Sequence, residues 1–127
     1  MTDDLSGLAG RAAGRFLNQI DVGDFDAAAD AFGPSARLIV DGEPWPPARG
    51  LLQLFQSDQG CQRHLYANLL VESQDVGYKA RAVVTTYRFG ATPYVFAMGD
   101  LVQRWDVVSG ELVISEMSYK RFHPDGA

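Results

Sequence analysis

Few side chains in this chain of 127 residues exchange protons near neutral pH, because it has only two histidines and one cysteine. An imidazole can give and take a proton within one turnover, so His64, in the run Cys61-Gln62-Arg63-His64, is the first candidate for general acid/base work. The same pattern also suits a histidine simply hydrogen-bonded at the end of a strand. His123, in Phe122-His123-Pro124-Asp125-Gly126, reads as a solvated tail residue. Asn18 and Asp21 stand three residues apart on one helical face, where either could orient an imidazole, but only Asp21 can carry the negative charge that raises a histidine's basicity. Asp21 equally suits a helix end beside Gly23. Asp100, within the apolar stretch 94–101, and Glu116, within 112–117, are expected either as buried carboxylates that hold their protons tightly or as residues of a wet face. Trp45, Tyr87 and Tyr119 could stack on an aromatic ligand or belong to the core.

Other chemistries lack their signatures. The chain has no phosphate-cradling glycine loop, no nucleophile elbow and no His-Glu-x-x-His pair, and the run from Cys61 to His64 is too short for a metal site. No metal or cofactor is therefore expected. The eleven Lys and Arg residues form no basic run and the net charge is -5, so no nucleic-acid partner is expected. A lone cysteine makes no internal disulfide, residues 1–10 lack the basic and apolar parts of a signal peptide, and no run of eighteen apolar residues occurs. A cytoplasmic location without membrane contact is the expectation.

The elements that must position these residues divide into two halves. Apolar residues at three- and four-residue spacing (Leu8, Ala9, Ala12, Ala13, Phe16, Leu17, Ile20) predict a helix over 4–20; Gly23 stops it, and Asp24 caps a second helix over 25–32 that ends at Gly33-Pro34. A short strand over 36–40, a proline-rich loop over 41–47 carrying Trp45 and a third helix from about 49 to 60 follow. Residues 64–74, 78–89, 94–107 and 111–122 are β-rich and separated by turn-forming residues, which predicts four strands in a meander. Strand alternation places His64, Tyr66, Asn68 and Leu70 on one face, suited to a pocket wall or to solvent. With 46% hydrophobic residues and no repeats, the whole chain, 1–127, is expected to form one α+β domain with the helices covering one face of a mostly antiparallel sheet.

Three stretches resemble the nuclear transport factor 2-like superfamily, and its SnoaL-like polyketide cyclase and scytalone dehydratase branch in particular. Ile20-Asp21-Val22-Gly23-Asp24-Phe25-Asp26-Ala27, followed by Ala31-Phe32-Gly33-Pro34-Ser35-Ala36-Arg37-Leu38, is similar to that family's helix hairpin and first strand. Arg63-His64 resembles the opening of its first long strand. Gly99-Asp100-Leu101-Val102-Gln103-Arg104, with Gly110-Glu111-Leu112-Val113-Ile114, looks like its last hairpin. The resemblance implies a cone-shaped roll of three N-terminal helices on a curved sheet. It implies that His64 points into the cone as general acid/base, paired with a carboxylate at the end of the first helix. Scytalone dehydratases carry an aspartate and a tyrosine where this chain has Asn18 and Phe16, while related bile-acid dehydratases carry an aspartate at the position of Asp21.

The expectation is then a small cofactor-independent lyase, isomerase or cyclase acting on an apolar cyclic, polyketide- or steroid-like molecule. His64, Asp21, Asn18 and Asp100 are its candidate catalytic residues, and Phe16, Trp45, Tyr66, Tyr87, Glu116 and Tyr119 its substrate contacts. A non-catalytic hydrophobic-ligand or assembly module and the small subunit of an aromatic-ring dioxygenase are the alternatives. The resemblance also implies a homodimer.

Overall fold

The apolar stripe becomes helix α1 (Thr2–Asp21), with Ala9, Ala13, Phe16, Leu17 and Ile20 buried. The computed structural model of the chain describes residues 2–45 and 62–122. Gly23, at φ 81°, ends the helix as a Schellman motif: its N–H donates to the Ile20 carbonyl at 3.2 Å, and that of Asp24 to Gln19 at 2.9 Å. The Asp24 carboxylate then accepts the Ala27 N–H and starts α2 (Phe25–Asp30).

Helix α2 ends earlier than its sequence predicts, and strand β1 (Phe32–Val40) begins earlier. Tertiary contacts decide this. The Ala31 carbonyl accepts the Ile114 N–H at 2.6 Å, and the Phe32 ring meets Phe16 edge-on, with centroids 5.4 Å apart. Gly33-Pro34 therefore lies inside a strand, where the pairing register is irregular between Phe32 and Arg37, as a residue without an N–H requires. Part of the expected loop is also a strand. Asp41 and Gly42, at φ 53° and 82°, make the tight turn that returns β2 (Glu43–Pro44) onto β1. The expected third helix and Cys61 lie outside the described residues.

Strands β3 (Gln62–Ser73), β4 (Tyr78–Arg88), β5 (Tyr94–Val108) and β6 (Glu111–Arg121) form the expected antiparallel meander, and β1 joins it alongside β6 in parallel, for the order β2-β1-β6-β5-β4-β3. Among the described residues, two helices on a curved, mostly antiparallel sheet give the α+β class read from the sequence. Helix α1 lies over β3 and β4. Its small residues set how close it comes: a Cβ on Gly10 would stand 3.8 Å from the Val71 side chain, and one on Gly14 would stand 3.7 Å from the Tyr66 hydroxyl.

Simple alternation fails in β3. Ala67 pairs with Val83 but Leu70 with Arg81, so β3 holds one extra residue, and Asn68 takes it up at φ 58°. Beyond this bulge the facing reverses. Val71 turns inward onto the core with His64 and Tyr66, whereas Leu70 is exposed, the opposite of the even alternation read from the sequence. On the outer face a row of charges, Arg37, Glu116, Arg104, Lys79 and Glu72, crosses the strands in register.

Candidate active site

Asp21 is the last residue of α1, a position that disfavours an anion because the helix dipole ends there negatively. What offsets it comes from β3. Among the described residues β3 is an edge strand of the sheet, and the N–H of His64 donates outward to both Asp21 oxygens, at 3.0 and 3.2 Å. The His64 imidazole adds a contact of 2.6 Å between Nδ1 and Oδ1. Both side chains are largely withdrawn from water, at 13% exposure for His64 and 16% for Asp21. A carboxylate on Nδ1 fixes the tautomer that carries its proton there and leaves the basic lone pair on Nε2.

Tyr66, one inward position further along β3, ties the same helix down. Its hydroxyl donates to the Gly14 carbonyl at 3.1 Å. Contacts Gly10 to Val71, Gly14 to Tyr66 and Asp21 to His64 run in opposite directions along helix and strand, so α1 lies antiparallel to β3. Burial, and secondarily the Asp21 charge, push the Tyr66 phenol above its ordinary range. The cross-strand neighbour of His64 is Thr86, buried on the same face of the sheet.

The remaining sequence candidates are not brought to this pair. The Asn18 side chain is exposed. Asp100 is exposed on the outer face, in register with Lys120, because its neighbours Gly99 and Leu101 face inward. Glu116 is also on the outer face and forms an ion pair with Arg37. Phe16 is buried among core side chains, its ring edge-on to Phe32. Tyr87 shares a rung with exposed Arg63 and so faces away from Thr86 and His64. Trp45 follows β2, at the sheet edge opposite β3, and is 37% exposed. Tyr119 is on the inner face and packs against the core. Sequence reasoning passed over Thr86, one of several threonines and valines in an apolar strand, whose only distinguishing signal is its rung with His64.

No protein-family model and no curated protein sequence matches this chain. Solved structures do. An NTF2-like protein with a cystatin-like fold from Novosphingobium aromaticivorans superposes with a TM-score of 0.76 at 12% identity, over 90% of this chain and 79% of that one. The fold is nuclear transport factor 2-like. A candidate dehydratase of the NTF2-like family from Streptomyces avermitilis matches with a TM-score of 0.80 at 11% identity, covering 97% of this chain and 99% of that one. A candidate scytalone dehydratase from N. aromaticivorans matches at 0.77 and 13% identity, over 97% and 89%. On this nuclear transport factor 2-like frame the Asp21–His64 pair joins the end of the first helix to the start of the first long strand. Among the described residues, no three His, Cys, Asp or Glu side chains are grouped to hold a metal ion, and no helix is long and apolar enough to cross a membrane.

Proposed function

We propose that the chain is a small acid/base enzyme, a lyase, isomerase or cyclase, acting on an apolar cyclic molecule with a carbonyl group. The observation that carries this reading is the 2.6 Å contact between His64 Nδ1 and Asp21 Oδ1, made by two side chains largely shielded from water. The likeness in fold to candidate dehydratases supports it.

In this reading Nε2 of His64 removes a proton from the carbon next to the carbonyl, giving an enolate and an imidazolium held by Asp21. Returning that proton to a neighbouring hydroxyl expels water, which is dehydration. Returning it to a different carbon is isomerisation, and attack of the enolate carbon on a second carbonyl of the same molecule closes a ring. Asp21 serves by fixing the tautomer and balancing the charge, roles that Asn18 and Asp100 are too remote in facing to share. A positioned acid/base of this kind contributes roughly a hundred- to ten-thousand-fold. The same reading includes a homodimer across the outer face, where Leu65, Leu70 and Met98 are exposed.

The test is deuterium uptake from heavy water at the carbon next to the carbonyl, followed by NMR on a panel of bicyclic and tricyclic hydroxyketones. We expect exchange catalysed by the parent chain and a loss of about a hundredfold or more in His64→Ala. A His64→Ala chain that exchanges as fast as the parent would end the proposal.

A further inference from the structure

Strand β5 holds one residue more than its partner β4 near the end where His64 stands. Thr86 of β4 pairs with Ala97 and Tyr87 with Val95, so Phe96 is an insertion between two rungs. Strand β4 stays regular against β3 through the same stretch, from Val84 opposite Tyr66 to Arg88 opposite Gln62. Arg88 therefore faces the same side of the sheet as Thr86 and His64, two residues from Thr86 and about 7 Å further along the strand. The inserted ring meets it there. The Arg88 guanidinium lies over Phe96, with Cζ 3.7 Å from the ring centroid.

This stacking sets the direction of the cation as well as its place. At van der Waals distance the planar group lies flat on the ring, and its N–H groups, which share that plane, are aimed along the ring surface rather than into it. Arg88 Nε is closed off from water while Phe96 is 48% exposed, so the stack has a sheltered side and an open one. Parallel N–H groups on one edge of a guanidinium match the two oxygens of a carboxylate, and the bond is stronger where water is partly excluded. The cation is no part of a basic surface. The chain carries a net charge of -5, and the rung neighbours of Arg88 are uncharged Gln62 and Tyr94. Long-range attraction thus gathers no anions on this chain, and a local contact has to hold one.

We propose that Arg88, steadied by Phe96, binds a carboxylate of the ligand on which His64 acts, with the ring body of that ligand spanning the two rungs. This rests on the inner face at His64 being the ligand site. It narrows the proposed substrate class to cyclic acids, in which an apolar ring adjoins the carboxylate. Arg88 binds and orients, and proton transfer stays with His64.

The probes are 2-naphthoate and 2-naphthamide, which have nearly one shape and differ in charge. Binding to the full chain is followed by NMR titration. We expect the naphthoate to bind roughly tenfold more tightly, the worth of one charge-assisted contact at a half-open site, and to show intermolecular NOEs to the Phe96 ring. Arg88→Met, which keeps the apolar stem, should reduce the preference to about twofold or less. Arg104→Met, on the outer face, and His64→Ala should both leave it above about fivefold. Equal binding of the two probes, no saturable binding of the naphthoate, or a preference that survives in Arg88→Met would overturn the proposal. Loss of the preference in His64→Ala would place the anion at the imidazole and overturn it too. If Arg88→Met is poorly folded by circular dichroism, the NOEs of the parent chain decide: contacts with Phe96 support the proposal, and contacts confined to other rings overturn it. Since proton exchange reads His64 and charge preference reads Arg88, the acid/base reading can fail while this one stands.

Discussion

The carboxylate of Asp21 grips His64 at two points, the imidazole Nδ1 at 2.6 Å and the backbone N–H at 3.0 Å. One contact concerns the reactivity of the ring and the other the docking of helix α1 on strand β3, and substitutions separate them. Asp21→Asn retains an acceptor oxygen but no charge, so deuterium exchange should fall about tenfold or more with a small change in melting temperature. Asp21→Ala removes both contacts and should also cost roughly 1–3 kcal/mol of stability in urea titrations. Asp100→Ala and Glu116→Ala should keep the exchange rate within about twofold, since both carboxylates are on the outer face. An Asp100 effect as large as that of Asp21 would show that the outer face takes part in the reaction.

Tyr66 links stability to alkaline pH. Its phenol is raised above the ordinary value of about 10, by burial first and by Asp21 second, so the folded chain holds this proton more tightly than the unfolded chain does. The contribution is fully present below pH of about 10 and is lost as pH rises through the folded value. Tyr66→Phe, which forfeits the hydrogen bond to Gly14, should melt below the parent at pH 8, and the gap should close as pH climbs past about 10. A gap that stays constant up to pH of about 11 would contradict this assignment.

Asn68 takes a left-handed backbone conformation, which suits asparagine and glycine and penalises branched side chains. Asn68→Gly should change stability by no more than about 0.5 kcal/mol, while Asn68→Val should cost roughly 1–2 kcal/mol in denaturant titrations. Deleting Asn68 restores even pairing and turns Val71 outward, so a deletion variant with unchanged stability would refute the bulge.

Gly99 has no room for a methyl group, because the obstructing atoms include the backbone carbonyl of Lys120. Gly99→Ala should destabilise the chain by about 1–3 kcal/mol, as overpacking does. Tyr119→Ala removes the ring carbons that stand 2.7 and 2.9 Å from that position but not the carbonyl, so Gly99→Ala should cost less, though still something, in a Tyr119→Ala background. Thermal melts of the single and double variants measure both effects.

Much of the frame was legible without coordinates. The helix stripe, Gly23, the Asp24 cap and the turn residues between the long strands are local signals, read from spacings of a few residues that govern φ/ψ and capping directly. His64 and Asp21 were also among the candidates on residue type alone. Spacing did not show their partnership, which only the family resemblance implied, because it joins residues distant in sequence and depends on an edge strand turning an N–H toward a helix end. Residue type favoured Asp21 over Asn18 as the charged partner, but which side of α1 meets β3 was not local information, since it depends on where Gly10 and Gly14 allow close approach. The early start of β1 came from pairing with β6, the facing of Val71 from one inserted residue at Asn68, and the outward placing of Asp100 and Glu116 from the register of β5 and β6. Local chemistry thus determined the elements and the short list of reactive groups, while long-range register decided which of those groups share a face, because a shift of one residue along a strand reverses every side chain beyond it.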